Sequence, residues 1–205
     1  MTKYLDSVNN ILDVEANNII KLKDRLSMEE VEKIIDLLCT VKGNSRKVIT
    51  AGCGTSGMLA RRVAHTFNVV EIPSFFLSPA DAVHGGAGSI QQGDIVILFS
   101  KGGNTQEIIQ YIPICKAKGA YVIGVSQNDD SLLANHADLY FKLQVDQEAD
   151  IWNMCASASC NAIAAVFDAI AFTAVQYTHY TKDDLYLIHT GGKVGELLEG
   201  ELQKP

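Results

Sequence analysis

The sequence predicts an α/β protein, a three-layer α/β/α sandwich around a five-stranded parallel sheet with helices leading in. Five short apolar runs carry that expectation: Val48–Ala51, Ser74–Leu77, Ile95–Phe99, Tyr121–Val125 and Leu139–Leu143. Helical patterns such as Met58–Phe67 and Thr105–Ala117 separate them, and strands alternating with helices pair in parallel through right-handed crossovers. The length agrees: 205 residues suit one domain that buries roughly 70% of its unfolded surface.

Along the chain, Leu5, Val8, Ile11, Leu12, Ala16, Ile19 and Ile20 recur at helical spacing, and so do Val31, Ile34, Ile35, Leu37 and Leu38. Ser27 followed by Glu30 reads as a capping box for the second helix. These helices occupy residues to about 43, and the α/β core follows over about 46–198. In such a sheet the ligand lies beyond the carboxyl ends of the strands, where Ser56, Ser100 and Ser126 supply hydroxyls. The apolar segment Met154 to Val175 carries Asn161 and Asp168 and is rich in Ala and Ser, so it reads as a buried helix, not a membrane span. The tail Gly200–Pro205 is expected to be disordered. No repeat at solenoid spacing and no Pro/Ser-rich linker interrupts the chain.

A net charge of −7 argues against a general nucleic-acid binder, which needs a basic face to displace counterions. An anionic ligand would then be held by local dipoles and a few placed cations. Five cysteines without C-x-x-C spacing, and no signal peptide, point to the reducing cytoplasm.

The chemistry concentrates in two turns. Asp94–Phe99 empties into Ser100-Lys101-Gly102-Gly103-Asn104-Thr105-Gln106-Glu107, and Arg46–Ala51 empties into Gly52-Cys53-Gly54-Thr55-Ser56-Gly57. A strand that ends in glycines, hydroxyls and a helix start offers backbone N–H groups and a helix dipole to an anion. Two such turns suggest one phosphorylated ligand. The first also spells G-x-G-x-x-G, but a nicotinamide site wants an acid at the end of the second strand, where Ser78-Pro79 stand. That reading and a tight turn without ligand remain alternatives. His84 and His189 each lie beside glycines that let a ligand approach, and imidazole exchanges protons near neutrality. Glu107 is three residues into the helix after the hydroxyl turn, where its first duty could be capping and complementing the helix dipole. Glu148 lies among three acids in five residues, a pattern typical of a solvated loop, but at a strand's carboxyl end. His65, His136 and His179 lie within or beside helical patterns and read as surface or satisfied histidines. No ligand set of metal spacing appears, Cys155 and Cys160 read as core on one helix, and no G-x-S-x-G elbow supports hydrolysis. Neither metal nor cofactor is expected.

Together these segments resemble the sugar isomerase (SIS) domain, and most closely the D-arabinose 5-phosphate isomerase family. The residues that carry the resemblance are the turn ending Ser56-Gly57, Pro73-Ser74-Phe75-Phe76, Ala82-Val83-His84-Gly85, Gly93–Ile97, Glu148-Ala149 and His189-x-Gly191-Gly192-x-x-Gly195. The resemblance implies an aldose–ketose isomerase of phosphosugars with catalytic positions at His84, Glu107, Glu148 and His189. It places substrate contacts at Gly54, Thr55, Ser56, Ser100, Lys101, Gly102, Gly103, Asn104 and Thr105. It also implies a homo-oligomer, tetramer or dimer, with sites at subunit interfaces and one histidine from a neighbour. Thr55 stands where the family has lysine, Gly102 where it has serine, and Asp150-Ile151-Trp152-Asn153 where it has Cys-Pro-Leu-Gly. Lys101 could restore the lost charge, and Trp152 either stacks on a sugar or fills the core.

Isomerisation moves a proton between adjacent carbons through an enediol-type intermediate after ring opening. The resemblance leaves Glu148 or His189 to shuttle it, His84 to open the ring or polarise the carbonyl, and Glu107 to orient a neighbour. A phosphosugar sensor without turnover is the rival reading.

Overall fold

A computed structural model describes residues 3–202. Two helices lead in, α1 (Leu5–Leu22) and α2 (Met28–Cys39). Ser27 caps α2 as expected, its hydroxyl accepting the Glu30 N–H at 3.4 Å. Then follow β1 (Val48–Gly52), α3 (Gly54–Val69), β2 (Ser74–Phe76), the short α4 (Pro79–Ala82), β3 (Ile95–Phe99), α5 (Gln106–Ala117), β4 (Tyr121–Ser126), α6 (Leu132–His136) and β5 (Leu139–Lys142). Three helices close the chain: α7 (Ala158–Ala174), α8 (Lys182–Ile188) and α9 (Gly192–Leu202).

All five strands pair in parallel in the order β2-β1-β3-β4-β5. The predicted sheet is therefore the observed one. β1 and β4 each run one residue past their apolar runs because Gly52 pairs with Phe99 and Ser126 with Lys142.

Each face of the sheet has its own core. On one, Val48, Ile97, Phe99 and Phe141 pack with residues of α2, α3 and α7, and Phe167 meets Phe99 edge-on at 5.2 Å between ring centroids. On the other, Ile49, Val96, Leu98 and Val122 pack against Ala82, Ile108, Tyr111 and Leu133. Thus α3 and α5, which follow adjacent strands β1 and β3, lie on opposite faces. Their N-termini flank a crevice at the carboxyl ends of those strands, where the chain order reverses.

Three expectations change. The helix in the apolar segment begins only at Ala158, so Cys155 is exposed in the preceding turn and does not share a core with half-buried Cys160. Trp152 is exposed and fills no core. Gly200 and Leu202 are helical, because α9 runs through them, and residues 203–205 lie outside the described residues. The apolar positions of α1 are mostly outward: Leu5, Val8, Ile11, Leu12, Ile19 and Ile20 are exposed, whereas Asn18 and Leu22 are buried. Among the described residues no helix is long and apolar enough to cross a membrane.

Candidate active site

The glycine turn is built by close approach. A Cβ on Gly52 would meet the Ser56 carbonyl oxygen at 2.6 Å, and one on Gly57 would meet the Gly52 oxygen at 2.7 Å. Only glycines let the first turn of α3 sit down on the end of β1. Ser56 accordingly lies inside α3 and not on a loop, and Cys53, the N-cap, gives the helix no side-chain cap.

The second turn is pinned by the residue after β4 and by the start of α6. Gln127 N–H donates to the Lys101 carbonyl at 3.1 Å, Leu133 N–H to that of Gly103 at 3.0 Å, and Leu132 N–H to Asn104 Oδ1 at 2.8 Å. The Ser100 and Thr105 hydroxyls are 2.9 Å apart, so Thr105, the N-cap of α5, turns its hydroxyl to Ser100 and leaves its helix uncapped. The N–H groups of Gly102, Asn104, Gln106 and Glu107 donate to no acceptor among the described residues. Two uncapped helix N-termini beside one crevice are an anion site in waiting.

Glu148 occupies no solvated loop. Its side chain is 0% exposed, and it takes hydrogen bonds from Lys101 Nζ (2.6 Å), Ser157 N–H (2.9 Å), Ser159 N–H (3.1 Å) and the Ser159 hydroxyl. Its neighbours are equally engaged: Asp146 pairs with Lys21 and Arg25, and Asp150 accepts the N–H groups of Trp152, Met154 and Cys155. Burial pushes the Glu148 carboxyl up, but Lys101, the Ser159 hydroxyl and the two N–H groups outweigh it and hold it below the usual range. A lowered folded-state pKa adds stability that is fully present above the unfolded value and is lost as pH falls through the folded one. The melting advantage of the wild type over Glu148→Gln should therefore shrink as pH drops below about 4, measured by thermal unfolding across pH.

Glu107 is exposed on the first turn of α5 and lines a cleft of about 320 Å³ with Gly52, Gly54, Gly57, Arg61 and Phe76. Burial and then the Glu107 charge push the Cys53 thiol up, which puts that carboxylate within electrostatic reach of the end of β1. Ser78, Pro79 and Ala80 form the same wall, and His84 is exposed two residues past α4, in a turn where Gly85 takes φ +108°. His189 is elsewhere. It ends α8 and lines a cavity of about 460 Å³ with His65, Asn68 and Val69, at the end of α3 farthest from the glycine turn. Asn68 bonds Ser74 at the start of β2, which fixes this as the opposite edge of the sheet. Within one chain the structure brings Glu107 to the glycine turn and Lys101 to Glu148, and it keeps His189 apart.

The family model for the SIS domain matches residues 43–176. The chain belongs to the SIS domain family. The chain is similar to arabinose 5-phosphate isomerase KpsF of Escherichia coli, at 31% identity over 95% of this chain and 60% of that protein. It is similar also to arabinose 5-phosphate isomerase KdsD of Pseudomonas aeruginosa, at 30% identity over 95% of this chain and 59% of that one. The chain thus spans less than two thirds of the length of these curated relatives. Among solved structures, a candidate sugar-phosphate isomerase from Listeria monocytogenes superposes with a TM-score of 0.89 at 44% identity, covering 93% of this chain and all of that one. An E. coli CFT073 protein in complex with arabinose 5-phosphate gives 0.85 at 31% identity, over 92% of this chain and all of that one.

Two features of this chain escape a reading by motif. Arg61 stacks its guanidinium 3.8 Å from the Phe76 ring centroid, on the cleft wall, with no carboxylate partner among the described residues. The Arg61-Arg62 pair was visible, but only the structure separates them, because Arg62 is taken by Asp168 at 2.6 Å. Asn18 is the second. Its amide donates to Gln147 O and accepts from Asp146 N–H, so α1 holds the segment that carries Glu148.

Proposed function

We propose that this SIS domain, one domain over residues 1–205, is a phosphosugar aldose–ketose isomerase of the arabinose 5-phosphate isomerase type. The observation that carries this reading is the cleft where Glu107, a carboxylate, faces the uncapped glycine turn of α3 across the strand-order switch. The relatives that match 95% of this chain are named for that reaction and substrate. The phosphate sits on the N–H groups at the starts of α3 and α5, with the Ser56, Ser100 and Thr105 hydroxyls around it. Fixing that end holds the reactive carbons in register. Glu107 moves the proton between them through an enediol, and His84 assists ring opening from the α4 wall.

His189 serves the site of a second copy. Its place at the far edge of the sheet supports that role, and the outward apolar stripe of α1, with Phe172 exposed on α7, supports a homo-oligomer. Five free thiols suit the cytoplasm. The test is incubation with arabinose 5-phosphate in deuterated water. Label on the carbon beside the carbonyl is expected, and binding without label would make the protein a sensor.

Arg61 supplies the cation on the cleft wall that Thr55 does not. Arg61→Ala should raise KM for arabinose 5-phosphate about 10-fold with kcat nearly unchanged, since an exposed charge-assisted bond is worth about 1–2 kcal/mol. Steady-state kinetics check this, and an unchanged KM would remove Arg61 from the site.

A further inference from the structure

An ionised carboxylate has about four acceptor directions, and in Glu148 four donors fill them. Oε1 takes the Lys101 ammonium and the Ser159 hydroxyl, and Oε2 takes the Ser157 and Ser159 N–H groups. The two N–H groups belong to the start of α7, so the carboxylate is also that helix's capping anion. Its own N–H donates to Asn153 Oδ1 at 2.6 Å, and the segment before it is tied to Asn18. A base that takes a proton from carbon needs an unoccupied lone pair directed at that proton and within reach of substrate. Glu148 is 0% exposed and has neither, whereas Lys101, at the other end of the pair, is 32% exposed.

We infer that Glu148 is a positioning residue for Lys101: it fixes the ammonium over the Ser100–Thr105 turn and moves no proton itself. The assignment rests on the phosphosugar reading above. Lys101 leaves β3 directly beside Ser100, and with Thr55 in the glycine turn it is the cation this loop offers. A lysine side chain carries large rotamer freedom, and a buried anion at one fixed point removes most of it. Gln127 and Ser157, whose N–H groups bond the Lys101 carbonyl and Glu148 Oε2, have their own side-chain Oε1 and Oγ buried without hydrogen-bond partners among the described residues.

The test is a double-mutant cycle on the full chain, with Kd and kcat for arabinose 5-phosphate measured for the wild type, Glu148→Gln, Lys101→Met and the pair. Each single variant is expected to raise Kd about 10-fold and to keep kcat within about 5-fold, and the double variant should bind no more weakly than either single. Lys101→Arg should recover part of the affinity. Glu148→Gln with wild-type Kd and kcat lowered about 10³-fold would overturn the inference and make Glu148 the base. Additive losses in the double variant would overturn it too. If Glu148→Gln fails to fold, Lys101→Met decides alone: unchanged Kd with raised kcat means that lysine restrains a base. A wild type that binds but never labels the sugar still tests the cycle through Kd. A wild type that neither binds nor turns over arabinose 5-phosphate refutes the phosphosugar reading, and this one with it.

Discussion

Glu107→Gln is expected to lower the turnover of arabinose 5-phosphate by about 10²–10⁴-fold, the range for losing a general base, while KM changes little. Glutamine keeps the size and the hydrogen-bonding oxygen but cannot accept the proton. The cost to the fold is small. Glu107 is exposed on the first turn of α5, where a negative charge complements the helix dipole by about 0.3–1 kcal/mol. For a chain of this size that shifts Tm by about 1–4 °C. A thermal melt beside single-turnover label incorporation separates the two effects, and turnover within a few-fold of wild type would remove Glu107 from the proton path. The two carboxylates make opposite predictions in the same assay, because Glu107 faces the cleft and Glu148 is enclosed by donors.

The centre of the sheet was legible because β1, β3 and all but the first residue of β4 are buried on both faces. Val48–Gly52 and Ile95–Phe99 are buried at every position, so β3 is an unbroken apolar run and β1 carries one polar side chain, Thr50, whose hydroxyl is satisfied by the Ala60 carbonyl. The glycine turn was legible for a similar reason, since close approach at Gly52 and Gly57 permits one residue type. The outward face of α1 was not legible. An apolar stripe at helical spacing says that something covers a face, and it says nothing about whether the cover belongs to the same chain.

The electrostatics of the site were less legible still. Lys101 was visible as a cation near the turn, but its partner lies 47 residues on, and the other donors to that partner lie 9 and 11 residues beyond it. Nothing local marks Ser157 and Ser159 as ligands of a carboxylate. The motif His189-x-Gly-Gly named a histidine without its address, because α8 could have returned to either edge of the sheet. Arg61 and Arg62 are adjacent in sequence, and the helix sends one to Phe76 and the other to Asp168.

Gly103→Ala should lower stability by about 2–4 kcal/mol, roughly 5–15 °C in Tm for a chain of this length, and weaken phosphosugar binding at the same time. Two costs combine. Gly103 has φ +71°, a region that disfavours any side chain, and a Cβ there would overlap both Oγ and Cβ of Ser131, far inside van der Waals contact. Ser131 cannot yield easily, since it is buried and its hydroxyl caps α6 by accepting the Ala134 N–H at 3.2 Å. Relief must come from the Ser100–Thr105 turn, which would pull Gly103 N–H off the Ser100 carbonyl and hydroxyl, at 3.0 and 3.2 Å. That displaces Ser100 and Lys101, so affinity falls with stability. Adding Ser131→Gly should recover the steric part, because glycine replaces an N-cap serine at a cost of only a few tenths of a kcal/mol, and should leave the strain of the left-handed backbone. A Gly103→Ala protein that melts with the wild type would show that the turn is not pressed against α6, and the placement of its hydroxyls and ammonium at the strand ends would fall with that contact.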